Sequence, residues 1–353
     1  MCWPLPADLR GLGEPERALA QGNWLKLICG ASNQDLAAIE DLCAIYSLAG
    51  VHCIDVAADR AVVAAARRGM AWAEARGGQR PWLMVSLSDG VDPHFRKAHF
   101  DPDRCPVDCP RPCQRVCPAL AIGAAGGVLE ERCYGCGRCL PACPLGLIDE
   151  RQQLLAADAV PPLLAELQPD AIELHTQAGR LEAFGQRLQQ VQASGLTLRR
   201  LAVSCGLERG SGAGSGQLPG PLTARQLAGE LWQRFDLLRR GGYRPLWQLD
   251  GRPMSGDVGA GTAHAAVALL AAVRPWAPPG PLQLAGGTNA HTARLLPSNS
   301  GAAGVAFGGM ARRLLQPLLL QAEALGSSLR EQPELCQQAL ALAEGLLAPW
   351  HRR

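Results

Sequence analysis

Along most of the chain, short apolar runs rich in β-branched residues alternate with longer stretches in which apolar positions recur at helical spacing. That alternation predicts βα units and a parallel sheet. Leu25 to Cys29 (LKLIC) reads as the first strand. Asn33 is the expected cap of a helix carrying Leu36, Ile39, Leu42, Ile45 and Ala49 on one face, stopped by Gly50. Val51 to Val56 is the second strand, with Asp59 capping a helix over Ala61 to Arg76, and Trp82 to Leu87 is the third.

The alternation breaks between residues 89 and 149, where prolines and cysteines replace apolar runs, and then resumes. A helix is expected near Leu154 to Leu167. Strand four is Ala171 to His175, with a helix over Leu181 to Ala193, and strand five is Leu198 to Ser204. Gly210 to Gly220 reads as a flexible Gly/Ser loop. Thr223 and Gln226 then have the spacing of a capping box, with Leu222 and Leu227 at the staple positions of a helix reaching about Arg240. Strand six is Pro245 to Leu249, with a helix over Ala263 to Val273. Strands seven and eight are Leu282 to Ala285 and Gly304 to Phe307, and a helix starts near Met310. A further helix, Pro333 to Leu347, is placed outside the ring.

Eight such units are the number that closes a (β/α)8 TIM-like barrel; an open doubly wound sheet is the alternative. The cysteine-rich segment falls after strand three and before its helix. The expected division is therefore barrel over 1–88, insert over 89–149, and barrel with C-terminal helix over 150–353. In a barrel, a loop at that position lies at the mouth where active sites are built.

Fourteen cysteines are present, eight of them within this insert. No signal-peptide pattern or long apolar span occurs, which points to a cytoplasmic protein. In a reducing compartment, clustered cysteines bind metal rather than form disulfides. Cys133, Cys136, Cys139 and Cys143, followed by Pro144, give the C-x2-C-x2-C-x3-C-P run of bacterial ferredoxins. Gly135 and Gly137 let the backbone wrap closely. Cys105, Cys109, Cys113 and Cys117, followed by Pro118, keep the outer frame of that motif but with C-x3-C-x3-C-x3-C spacing. The frame resembles the first half of seven-iron ferredoxins. Cys109 is therefore the open ligand: with it the first cluster is [4Fe–4S], without it [3Fe–4S].

The fourth cysteine of such a run serves the other cluster. One set is then Cys105, Cys113, Cys143 and, if it binds, Cys109; the other is Cys133, Cys136, Cys139 and Cys117. Structural zinc also uses C-x2-C pairs, but usually two pairs set well apart. Between the groups, Ala119 to Val128 reads as a helical turn and a hairpin. Arg104, Arg111, Arg115, Arg132 and Arg138 surround the ligands, either to offset the clusters' negative charge and raise their potential or, being interleaved with acids, as an ordinary solvated surface, which is the plainer reading.

At the ends of the last two strands stand Gly286-Gly287 and Gly308-Gly309. Loops there bind phosphate in many barrels, and FMN or a phosphorylated metabolite would fit; tight turns in a chain with 40 glycines are the plainer reading. Lys26, Asp55, Glu173, His175 and Asp250 lie near strand ends, as an acid–base site or as a polar interior layer. Cys205 is a redox thiol or, more simply, a buried side chain. Net charge is +2, with Lys and Arg scattered, so neither nucleic acid nor a membrane is an expected partner.

LKLICGASNQDL, GVHCIDVAADRAVVAAARRG and ERCYGCGRCLPACPLGLI together resemble the cyanobacterial light-dependent-period family, iron–sulfur proteins of circadian input. The likeness is strongest from Trp24 to Ile148. It implies redox sensing by two clusters on the eight insert cysteines, read by circadian clock or redox-signalling proteins, with no catalytic mechanism. A flavin-containing barrel oxidoreductase with a ferredoxin-like electron relay is the competing class.

Overall fold

In the computed structural model, residues 13–123, 125–208, 221–252, 259–297 and 299–351 are described. The Gly210–Gly220 loop and Cys2 lie outside them. Eight parallel strands close into a barrel: β1 (Trp24–Gly30), β2 (Cys53–Ala57), β3 (Trp82–Ser88), β6 (Ala171–His175), β7 (Arg200–Gly206), β8 (Pro245–Asp250), β9 (Leu282–Ala285) and β10 (Gly304–Phe307). Closure comes from β1 pairing with β10, Trp24 to Leu27 against Gly304 to Phe307. The expected (β/α)8 architecture is thus present, and the open-sheet alternative is excluded. The short Ala/Gly-rich β9 and β10 match their expected bounds.

Around the barrel run α2 (Leu36–Leu48), α3 (Arg60–Glu74), α6 (Val160–Leu167), α7 (Leu181–Ala193), α8 (Ala224–Arg240), α9 (Ala263–Val273) and α11 (Gly309–Ala324). Both halves of the capping box at Thr223 and Gln226 form, and Leu222 and Leu227 are buried. Two starts differ from expectation. Asp35, not Asn33, caps α2, accepting from the Ala38 amide at 3.2 Å. Asn33 instead donates to the Cys29 carbonyl and accepts from the Asp35 amide, so the chain turns once more before the helix begins. Helix α6 begins at Val160 rather than near Leu154, because prolines suit only the first helical turn and Pro161-Pro162 sit there.

Helix α12 (Pro333–His351) lies outside the ring, and Ala339, Ala343, Leu346, Leu347 and Trp350 bury its inner face in the main core. Helix α1 (Glu14–Gln21) was not expected. It plugs the bottom of the barrel, where Ala18 and Leu19 join Trp24, Trp82, Met84 and Leu246 in a separate apolar cluster. Glu16 anchors the plug through a bidentate pair with Arg200 (2.9 and 2.8 Å) and a bond to Arg244 (2.9 Å).

The insert leaves the mouth after β3. Strands β4 (Arg96–His99) and β5 (Asp149–Gln152) pair antiparallel and tie its entry to its exit. Two short helices, α4 (Pro112–Arg115) and α5 (Cys139–Ala142), carry cysteines, and α10 (Thr292–Leu295) follows β9. The hairpin expected between the cysteine groups is an antiparallel bridge from Ile122 to Val128. No described helix is long and apolar enough to cross a membrane.

Candidate metal centres and the barrel mouth

Prolines and tight turns leave the insert little regular structure, so its side chains pack around the cysteines instead. Cys113, Cys133 and Cys139 are buried with Ala98, Phe100, Ile122, Tyr134 and Ile148, and the other five insert cysteines border that cluster or lie half-buried. The thiols divide into two groups. Cys117, Cys133, Cys136 and Cys139 line one cavity of about 440 Å³ including its open side. Burial first, then the neighbouring thiols of that set, push Cys139 up to about 12 and also raise Cys136. Cys113 is raised by burial first and then by Cys143, Cys105 and Cys109, so those three thiols lie in its neighbourhood rather than in this cavity.

Four half-buried or buried thiols gathered this way are stable as thiolates only around a cation, and the one carboxylate that shares their pocket, Glu150, is paired with Arg96. Backbone amides already point at three sulfurs: Ala98 at Cys133 (3.4 Å), Ala121 at Cys117 (3.2 Å) and Leu147 at Cys143 (3.4 Å). Such bonds stabilise negative charge on sulfur. Both groups fit iron–sulfur clusters. Gly135 and Gly137 adopt φ of +76° and +75°, and a Cβ at Gly135 would collide with the Arg96 carbonyl.

Of the expected arginine shell, Arg104, Arg115 and Arg138 are exposed, and Arg132 pairs with Glu323 of α11. Arg138 still opposes the rise of Cys136 through its backbone amide and its charge, and other cations stand close by. Arg96 donates to the Gly135 carbonyl at 2.9 Å. Lys97 is buried and donates to Gln34 and to the Glu130 carbonyl. Arg312 stands over Tyr134. Nothing in their local sequence marks them; only docking of the insert on the β1–α2 loop and α11 brings them there.

Gly286, Gly287, Gly308 and Gly309 all line one cavity at the barrel mouth, about 980 Å³ including its open side, with Arg252, Arg312 and Tyr134. Below it lies a polar interior layer. Lys26 is fully buried and pairs with Asp55 (3.0 Å) and Glu173. Burial pulls Lys26 down, but the two carboxylates outweigh it and hold it above its ordinary value. Burial likewise pushes Glu173 up, yet Lys26 and His175 hold it down at about 2. Gln248 donates to Glu173 (2.9 Å), Gln283 to Gln248 (2.6 Å) and Trp24 to Gln283 (2.5 Å). A hydrogen-bond chain thus runs from the plugged bottom to the mouth. Asp250 lines the mouth cavity and bonds Ser204 at 2.5 Å. Cys205 is buried, with burial pushing its thiol up to about 12, so it is the structural side chain rather than a redox thiol.

Residues 105–154 match the LdpA Fe-S cluster-binding domain, and residues 163–349 match the Light dependent period A C-terminal domain. The Light dependent period A protein of Synechococcus elongatus is 48% identical over 344 residues, covering 95% of this chain and 93% of that protein. The chain belongs to the Light dependent period A family. The family's iron–sulfur domain spans all eight insert cysteines, and its C-terminal domain spans the barrel from α6 onward.

Solved structures with similar outlines share little sequence. The (S)-3-O-geranylgeranylglyceryl phosphate synthase of Thermoplasma acidophilum is 12% identical with a TM-score of 0.40, covering 96% of this chain and 99% of that one. Tryptophan synthase from M. tuberculosis is 13% identical with a TM-score of 0.41, covering 94% and 98%.

Proposed function

We propose that the protein is a redox sensor of light-dependent circadian timing, holding two iron–sulfur clusters in a ferredoxin-like insert. One set would be Cys105, Cys109, Cys113 and Cys143, the other Cys117, Cys133, Cys136 and Cys139. The observation that carries this is the gathering of Cys117 with the distant Cys133, Cys136 and Cys139 around one cavity, as the crossed ligand pattern requires, with Cys105, Cys109 and Cys143 acting on Cys113. That Cys109 acts on Cys113 supports its inclusion in the first set and a [4Fe–4S] cluster there over [3Fe–4S]. Bound clusters supply one-electron chemistry; the protein's part is to set their potential and their access.

Access differs between the sets. Val107, between Cys105 and Cys109, is 97% exposed, and Leu145, just after Cys143, is 52% exposed. The first set therefore faces solvent, where a clock or redox-signalling partner in the cytoplasm can approach. The second set abuts the barrel.

Iron and sulfide analysis with low-temperature EPR on anaerobically purified protein tests the reading. About eight irons per chain, as two cubane clusters require, and a signal only after dithionite reduction are expected. A three-iron signal before reduction, with air damage excluded, would remove Cys109 from the ligands. Stoichiometric zinc without iron would end the redox reading.

The mouth cavity favours a second reading, a flavin-containing oxidoreductase. Gly286, Gly287, Gly308 and Gly309 offer backbone N–H groups beside Arg312, at the start of the 16-residue helix α11. FMN or another phosphate-bearing ligand suits that cradle. Flavin absorption that persists as free flavin after denaturation would support it; its absence from protein with full iron would leave the sensor reading.

A further inference from the structure

Apart from the cysteines, a second group of ligand-type side chains converges where insert and barrel meet. Asp92 and His94 lie at the 3-10 turn Pro93–Phe95 that follows β3, and His175 ends β6. One ligand atom from each lies within 4.8 Å of the other two. Asp92 and His175 are buried. The two imidazole centroids are 4.7 Å apart, and His94 Nδ1 is 2.7 Å from Asp92 Oδ1.

The group has the support such a site needs. Glu173 holds His175 Nε2 at 3.1 Å and is itself fixed by Lys26 and Gln248. A carboxylate on one ring nitrogen orients an imidazole and strengthens the other nitrogen as a ligand. The group opens on a recess of about 400 Å³ including its open side, bordered also by Ser204, Glu208, Asp250 and Arg252. A position beside it therefore faces space rather than packed protein.

We infer that Asp92, His94 and His175 form a mononuclear site for a divalent first-row transition ion, separate from the cysteine sets. Two imidazoles and one carboxylate suit zinc or iron(II) and leave a position for water or a small anion. Ligands at 2.0–2.1 Å in tetrahedral geometry stand about 3.3 Å apart, so seating the ion opens the Asp92–His94 pair by roughly half an ångström. The inference does not depend on what the clusters do, since its donors are nitrogen and oxygen.

Zn²⁺ is the probe. Holoprotein of known iron and sulfide content is titrated with Zn²⁺ and desalted, and the bound zinc is counted and examined by X-ray absorption. One zinc per chain is expected, with nitrogen and oxygen neighbours at about 2.0–2.1 Å. His94→Ala and Asp92→Asn should weaken retention about tenfold or more while iron and sulfide stay constant. Zinc surrounded by sulfur at about 2.3 Å would mean capture by cysteines and would overturn the site. So would the absence of bound zinc, or retention unchanged in both variants. The wild-type spectrum decides by itself if a variant fails to fold.

Discussion

The guanidinium of Arg312 stands 5.1 Å over the ring of Tyr134. Tyr134 lies between Cys133 and Cys136 and borders both the thiol pocket and the mouth cavity. Arg312, in the first turn of α11, also donates to the Cys29 carbonyl at 2.5 Å. One stacked pair therefore joins the second thiol set to the barrel. Removing this cation by Arg312→Gln should lower the midpoint potential of one cluster by tens of millivolts, the order of a partly screened charge pair. Arg312→Lys should restore most of it. EPR-monitored redox titration reads both clusters, and equal shifts in the two would contradict the placement.

The crossed grouping makes pairs of substitutions equivalent. Cys117→Ser and Cys139→Ser, 22 positions apart in the numbering, should abolish the same EPR signal. Cys113→Ser and Cys143→Ser should abolish the other. If Cys117→Ser instead behaves like Cys113→Ser, each cluster is built from one contiguous run.

Lys26 offsets two buried carboxylates, so its loss leaves uncompensated charge in the barrel interior. Lys26→Met should cost ~3–5 kcal/mol of stability, as for breaking other buried ion pairs. Urea unfolding of both proteins measures it. A loss below about 1 kcal/mol, the scale of an exposed pair, would show that Asp55 and Glu173 are not both ionised.

His52 predicts part of the acid response. Its Nδ1 accepts from the Leu25 amide at 3.0 Å, and its ring stacks on Trp24. Burial first, with His351 adding and Glu14 opposing, lowers it from 6.5 to about 4. A depressed folded value means that the unfolded chain binds the proton more readily. The stability from neutral His52 is then complete above 6.5 and is lost as pH falls towards 4. Melting temperature should fall less steeply across that window in His52→Asn than in the wild type, though from a lower start. Parallel curves would rule His52 out.

Local chemistry carried much of this into the sequence. Asp59, Thr223 and Gln226 act through neighbours two or three residues away, so their helices begin where expected. Asn33 failed as a cap because two equally local bonds competed for its amide. Strands β9 and β10 carry little side-chain signal, but their place in a repeated alternation identified them.

By itself the sequence determined the βα rhythm, the eight-unit count and the two cysteine runs, since all are periodicities and spacings within a few residues. The tertiary structure decided which distant groups meet. Lys26 and Glu173 are 147 positions apart, and Arg312 and Cys29 are 283 apart, yet each pair is in hydrogen-bond contact. The bottom plug, the Tyr134–Arg312 bridge and the gathering of Asp92, His94 and His175 arise the same way. Barrel closure and insert docking fix these contacts, and neither leaves a local pattern to read.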